Sequence, residues 1–107
     1  MESLVERHCV PCHGGVPRLT AEEVAPLLAQ LEGWQMFDAH HLLKEYRFEN
    51  FVDALAFVNR VGAVAEAEGH HPDLEFGWGY ARIKIYTHAI DGLSESDFIL
   101  AARIDAP

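Results

Sequence analysis

The sequence predicts a two-layer α+β domain, a four-stranded antiparallel sheet with its helices packed on one face. Three observations predict it. Two pairs of neighbouring β-type runs, 34–38 with 42–48 and 74–78 with 80–88, imply antiparallel pairing. Three stretches near 20–31, 51–68 and 94–104 have helical spacing behind a capping residue. The run from Tyr80 alternates, with Ala81, Ile83, Ile85 and Thr87 on one side and Arg82, Lys84, Tyr86 and His88 on the other. Such a strand has one face on helices and one that is wet or lines a site. The order is α-β-β-α-β-β-α.

Residues 1–19 read as an irregular arm, because Pro11, Gly14, Gly15 and Pro17 interrupt helix and strand alike. Thr20 caps a helix running to about Leu31, with Glu22 and Glu23 favourably placed in the first turn. Pro26 removes one of its hydrogen bonds and bends it, and Gly33 ends it. Strands follow at Trp34–Asp38 and Leu42–Phe48 around a tight turn at Ala39-His40. Asn50 caps the helix over 51–68, in which Phe51, Val52, Leu55, Phe57, Val58, Val61 and Val64 cannot share one narrow stripe. A helix apolar on several sides is buried on several sides, here by a subunit contact or by the sheet and flanking helices. Gly69 releases the chain into His70-His71-Pro72, where the proline pushes His71 toward extended backbone. Strands at Leu74–Trp78 and Tyr80–His88 lead to a last helix. Ser94 caps it, Asp97 takes the capping-box position, and it ends near Ile104.

A chain of 107 residues, half of them hydrophobic, fits one domain over 1–107 with a real core. A domain of this size is modestly stable alone, and burial of surface in an oligomer would help it. Seventeen acidic residues against eight basic ones give a formal charge of −9. That balance opposes nucleic-acid binding, which needs a basic patch, and adhesion to anionic membranes. No run approaches the roughly 20 apolar residues of a membrane span, and Met1–Arg7 has no apolar signal core. A soluble cytoplasmic protein is expected, with Cys9 and Cys12 as reduced thiols.

Three histidine positions carry the candidate chemistry. Imidazoles exchange protons near neutral pH, and two on opposite sides of a substrate can act as acid and base in one elimination. His70, His71 and His88 are such candidates, and Glu66, one helical turn before His70, can hydrogen-bond an imidazole or a substrate nitrogen. The segment reads equally as a polar loop after a helix. A shared zinc is disfavoured, because adjacent residues in an extended segment project to opposite sides. Cys9-Val10-Pro11-Cys12-His13 matches the haem c attachment spacing, but it lacks an export signal and does not stand at a strand-to-helix junction. It reads as a flexible arm ahead of a partial metal clip, for which His8 is a further donor. His40-His41 reads as a surface turn pair.

The run 51–61, then Ala65-Glu66, Gly69-His70-His71-Pro72-Asp73, Thr87-His88, Gly92-Leu93-Ser94-Glu95 and Asp97-Phe98, resembles the pterin-4a-carbinolamine dehydratases. The resemblance spans roughly 15–105, including the Gly-Gly-Val-Pro entry and the Leu-Glu-Gly-Trp segment. It implies an α+β fold, dimers or dimers of dimers, and a hydro-lyase of tetrahydrobiopterin recycling. That enzyme converts a 4a-hydroxytetrahydropterin to the quinonoid dihydropterin without metal or organic cofactor. By the same resemblance His70, His71 and His88 line the pterin site and carry catalysis, with His71 and His88 as acid and base. Glu66 and Asp97 support the site, and Pro72, Thr87, Ala89 and Ile90 form part of its wall. Asp97 has a purely structural alternative as a helix-capping group. Leu74 and Trp78 depart from the family pattern and are expected to alter how the flat pterin stacks. Rival readings are a dimerisation cofactor of a transcription regulator, and a metal or redox protein using Cys9, Cys12 and His13.

Overall fold

The structure, a computed structural model, describes residues 3–7, 9 and 17–106. Its elements are α1 (Ala21–Leu28), β1 (Gln35–Phe37), β2 (His41–Arg47), α2 (Phe51–Glu68), β3 (Asp73–Gly77), β4 (Tyr80–Ile85) and α3 (Glu95–Asp105). Short 3-10 turns stand at Leu4–Glu6 and His88–Ile90. The sheet is antiparallel throughout, in the order β1-β2-β4-β3. The expected α+β architecture is present.

Alternation along β4 decides which face is dry. Ala81, Ile83 and Ile85 are buried with Leu42 of β2, and Phe57, Val61 and the α3 residues Phe98, Leu100 and Ile104 close over them. On the other face Arg82 pairs with Glu45 and Glu75. The end of α3 is tied to the sheet by Asp105, which accepts from Trp34 Nε1 (2.8 Å), Tyr46 Oη (2.5 Å) and Lys44 Nζ (2.9 Å).

α2 has the boundaries expected of it. Asn50 Oδ1 accepts from the Asp53 amide at 2.8 Å, and Gly69 turns the chain out at φ 64°. Its apolar girdle is covered on one side only: Ala54, Phe57, Val61 and Ala65 are buried, while Phe51, Leu55 and Val52, the last 71% exposed, face out. α1 ends at Leu28 rather than near Leu31. Beyond Pro26 the chain tightens into three-residue turns, with Gln30 N–H on Leu27 O and Leu31 N–H on Leu28 O. Gly33, at φ 81°, turns the chain into β1 instead of ending the helix.

Two further expectations are corrected. β4 stops at Ile85, because Thr87 pairs with Gly92 in a tight return and leaves the ladder, so His88 opens a 3-10 turn instead of ending a strand. The described part of the amino-terminal segment is not a free arm. Leu4 is buried in the core, Arg7 meets Glu95 and Cys9 packs against the core. No helix among the described residues is long and apolar enough to cross a membrane.

Candidate active site

The end of α2, the start of β3 and the turn after β4 enclose a cavity of about 340 Å³. His70, His71, Pro72, Thr87, His88 and Ala89 line it, together with Gly69, Asp73 and Tyr86. All three expected histidines are therefore brought together. The left-handed Gly69 ends α2 and Pro72 holds the pair extended, so adjacent imidazoles leave the backbone in different directions.

Those directions lead to different surroundings. His70 is only 12% exposed, and its Nε2 meets Asp97 Oδ1 at 2.6 Å. Asp97 is fully buried, and its other oxygen accepts from Thr87 Oγ1 and from the Ser94 amide, both at 2.8 Å. One carboxylate thus both caps α3 and holds His70. Because an ionised carboxylate only accepts, His70 presents Nε2–H to it, which sets the ring's tautomer and orientation. His71 is 60% exposed and bonds through Nε2 to Glu66 Oε1 at 2.6 Å. Glu66 therefore partners His71, five residues on, and not His70. His88 is 56% exposed, with Nε2 3.8 Å from Asp73 Oδ2 and its ring centre 4.2 Å from that of Tyr86, tilted at 46°.

Sequence reasoning missed Asp73 and Tyr86 as cavity residues. Tyr86 had a signal, since it shares the polar face of the β4 run with His88 two residues away. Ile90 is buried beneath the turn and does not face the cavity, its apolar side chain being better placed in the core. Leu74 and Trp78 are not in the wall either. Leu74 follows the sheet register opposite Ile83, and Trp78 projects from the β3–β4 hairpin, so the aromatic surface at the cavity is Tyr86.

The cysteine reading is weakened at the one described member of the motif. Cys9 Sγ donates to Ser96 O at 3.3 Å, and burial, then Glu68 and Asp97, pushes the thiol up to about 12. A thiol so disposed is a poor thiolate ligand and a slow nucleophile. Cys12, His13 and His8 lie outside the described residues. Among the described residues no three His, Cys, Asp or Glu side chains gather around one point. His40 and His41 are not a solvated pair: His40 Nε2 meets Asp91 Oδ1 at 2.8 Å, and its ring lies 4.6 Å from Tyr86.

Residues 17–107, which include the whole cavity, match the model of the pterin 4 alpha carbinolamine dehydratase family. The chain belongs to that family. It is 57% identical over 105 residues to a provisionally named pterin-4-alpha-carbinolamine dehydratase of Rubrobacter xylanophilus, covering 98% of each chain. A relative of the same provisional name from Methylococcus capsulatus is 53% identical over 104 residues, covering 96% of this chain and 91% of its own. Among solved structures, a transcriptional coactivator/pterin dehydratase from Brucella melitensis superposes with a TM-score of 0.77 at 28% identity, over 83% of this chain and 96% of that one. A pterin dehydratase-like protein described as a RuBisCO assembly factor in the alpha-carboxysome gives 0.59 at 28% identity, over 69% and 87%.

Proposed function

We propose that the chain is a cytoplasmic hydro-lyase that dehydrates a 4a-hydroxytetrahydropterin to the quinonoid dihydropterin in tetrahydrobiopterin-type recycling. The observation that carries this reading is the convergence of the three family-motif imidazoles on one cavity beside an aromatic ring. Loss of water from C4a requires a proton on the departing hydroxyl, cleavage of the C–O bond and removal of a proton from a ring nitrogen. One imidazole gives a proton and another takes one, so both must re-equilibrate with solvent before the next turnover. His71 and His88 are more than half exposed and suit that exchange. His70, shielded and fixed by Asp97, suits binding and alignment of the substrate. No step calls on a metal or an organic cofactor. The test is dehydration of synthetic 4a-hydroxytetrahydropterin, followed against the spontaneous rate. A rate well above background at substoichiometric protein is expected, and a rate equal to background overturns the reading.

The open side of α2 supports self-association. Phe51, Val52 and Leu55 lie within about one turn of helix and leave apolar surface in water, where a second copy would cover it. A homodimer or homotetramer is proposed, and Val52→Asp is expected to lower the mass measured by light scattering. An unchanged mass removes α2 from the interface. The rival reading, a dimerisation cofactor of a transcription regulator, draws its support from the similar Brucella melitensis protein, a transcriptional coactivator/pterin dehydratase.

A further inference from the structure

Three described non-glycine residues have positive φ, and all three sit on two turns that touch. Asp38 (φ 55°) and Ala39 (φ 51°) form the tip of the β1–β2 hairpin, closed by His40 N–H on Phe37 O at 2.8 Å. Asp91 (φ 48°, ψ 50°) ends the 3-10 turn that His88 opens, and its amide closes on His88 O at 3.2 Å. Left-handed backbone is strained for residues with a Cβ, and such strain persists only where surrounding contacts hold it. The contact here is the His40 Nε2 to Asp91 Oδ1 bond, which joins the two tips across 51 residues of sequence.

We propose that His40 is a positioning residue for His88, holding the 88–91 turn through Asp91 and backing the His88 ring through Tyr86. The inference rests on the dehydratase reading for its activity readout and on geometry alone for the rest. Tyr86 touches both imidazoles, its ring centre 4.6 Å from that of His40 and 4.2 Å from that of His88, tilted 37° and 46° to them. The far side of the same turn is held by Arg18 Nε on Ile90 O at 2.7 Å, so the turn is gripped from both flanks. Asp91 can only accept while ionised, so His40 carries a proton on Nε2. His40 Nδ1 lies 3.0 Å from His41 Nδ1, a spacing that admits one proton between them and excludes two. Burial, then Lys84, then His40, lowers His41, with Asp38 opposing. Asp91 is itself held below the usual carboxylate range by its bond to His40, with Arg18 adding to the effect.

The experiment follows the His88 ring by long-range ¹H–¹⁵N imidazole NMR from pH 5 to 8, beside kcat and KM. The proteins are wild type, His40→Ala, His40→Gln and Asp91→Asn. His40→Ala is expected to displace the His88 ring signals and lower kcat ~10-fold with KM within about twofold, the pattern of lost alignment. His40→Gln, which keeps a donor at the same reach, restores most of the signal position and rate. Asp91→Asn tolerates the left-handed backbone and keeps an acceptor, so it folds and isolates the charge. It is expected to shift the His88 pH profile. His88 signals and titration unchanged in both His40→Ala and Asp91→Asn overturn the proposal, whatever the rates. Displaced signals in a protein whose wild type does not dehydrate the pterin uphold His40's role and overturn the substrate reading.

Discussion

His70 and His71 are neighbours in sequence and opposites in surroundings. Around His70, a fully buried carboxylate serves an imidazole, a threonine hydroxyl and a helix cap at once. Around His71 and His88, the carboxylates of Glu66 and Asp73 stand in water, and each engages a single imidazole. The buried half carries rigidity, because its polar groups replace water with one another and loss of the shared carboxylate leaves several of them short of a bond. In the proposed reaction the exposed half carries exchange, because its members are open to solvent. One cavity thus joins a buried, fixed wall to a pair of exposed imidazoles.

Removing the centre of the buried half is the most severe way to break that contrast. Asp97→Ala removes the carboxylate that His70, Thr87 Oγ1 and the Ser94 amide share, leaving Thr87 Oγ1 only its 2.8 Å contact with Ser94 Oγ, and is expected to cost about 3–5 kcal/mol in urea unfolding at fixed protein concentration. A loss under about 1 kcal/mol would mean that the buried network is not what holds the wall. Cys9, on the edge of the same network, adds a pH signature. Its folded pKa of about 12 lies above the ordinary 9.0, so the protonated thiol favours the fold. That contribution is complete below pH 9.0 and is lost as pH rises toward 12. The unfolding midpoint of wild type should therefore fall over that window more steeply than that of Cys9→Ser, and parallel curves would contradict it. In the exposed half, Glu66→Gln should change stability by no more than about 0.5 kcal/mol, the scale of a solvated pair. A larger loss would place Glu66 in the fixed wall.

The same contrast marks what was legible in the sequence. α2 is legible from about Phe51 to Glu68 because its signals, Asn50, the apolar spacing and Gly69, are local. The three histidines were legible as a group, and Glu66 as a partner, because their spacing lies within one helix end and one strand length. The actual partner, His71, depended on how Gly69 and Pro72 aim the pair. Asp97's bond to the Ser94 amide is local, but its bond to His70 spans 27 residues, and only the fold brings those two side chains together. His88 was assigned to a strand because alternation continues through Thr87. The Thr87–Gly92 bridge that turns the chain away leaves no periodic trace. His40 was missed for the same reason: a polar residue at a hairpin tip looks solvated until Asp91 arrives from the far end of the chain.

The division between a fixed wall and an exchanging pair is tested most directly by turnover of synthetic 4a-hydroxytetrahydropterin by His71→Ala and His88→Ala, corrected for the spontaneous reaction. Each variant is expected to lose roughly 10²-fold or more, the usual scale of general acid–base catalysis, with its fold intact. Near-normal turnover in both would contradict the assignment of proton exchange to the exposed histidines.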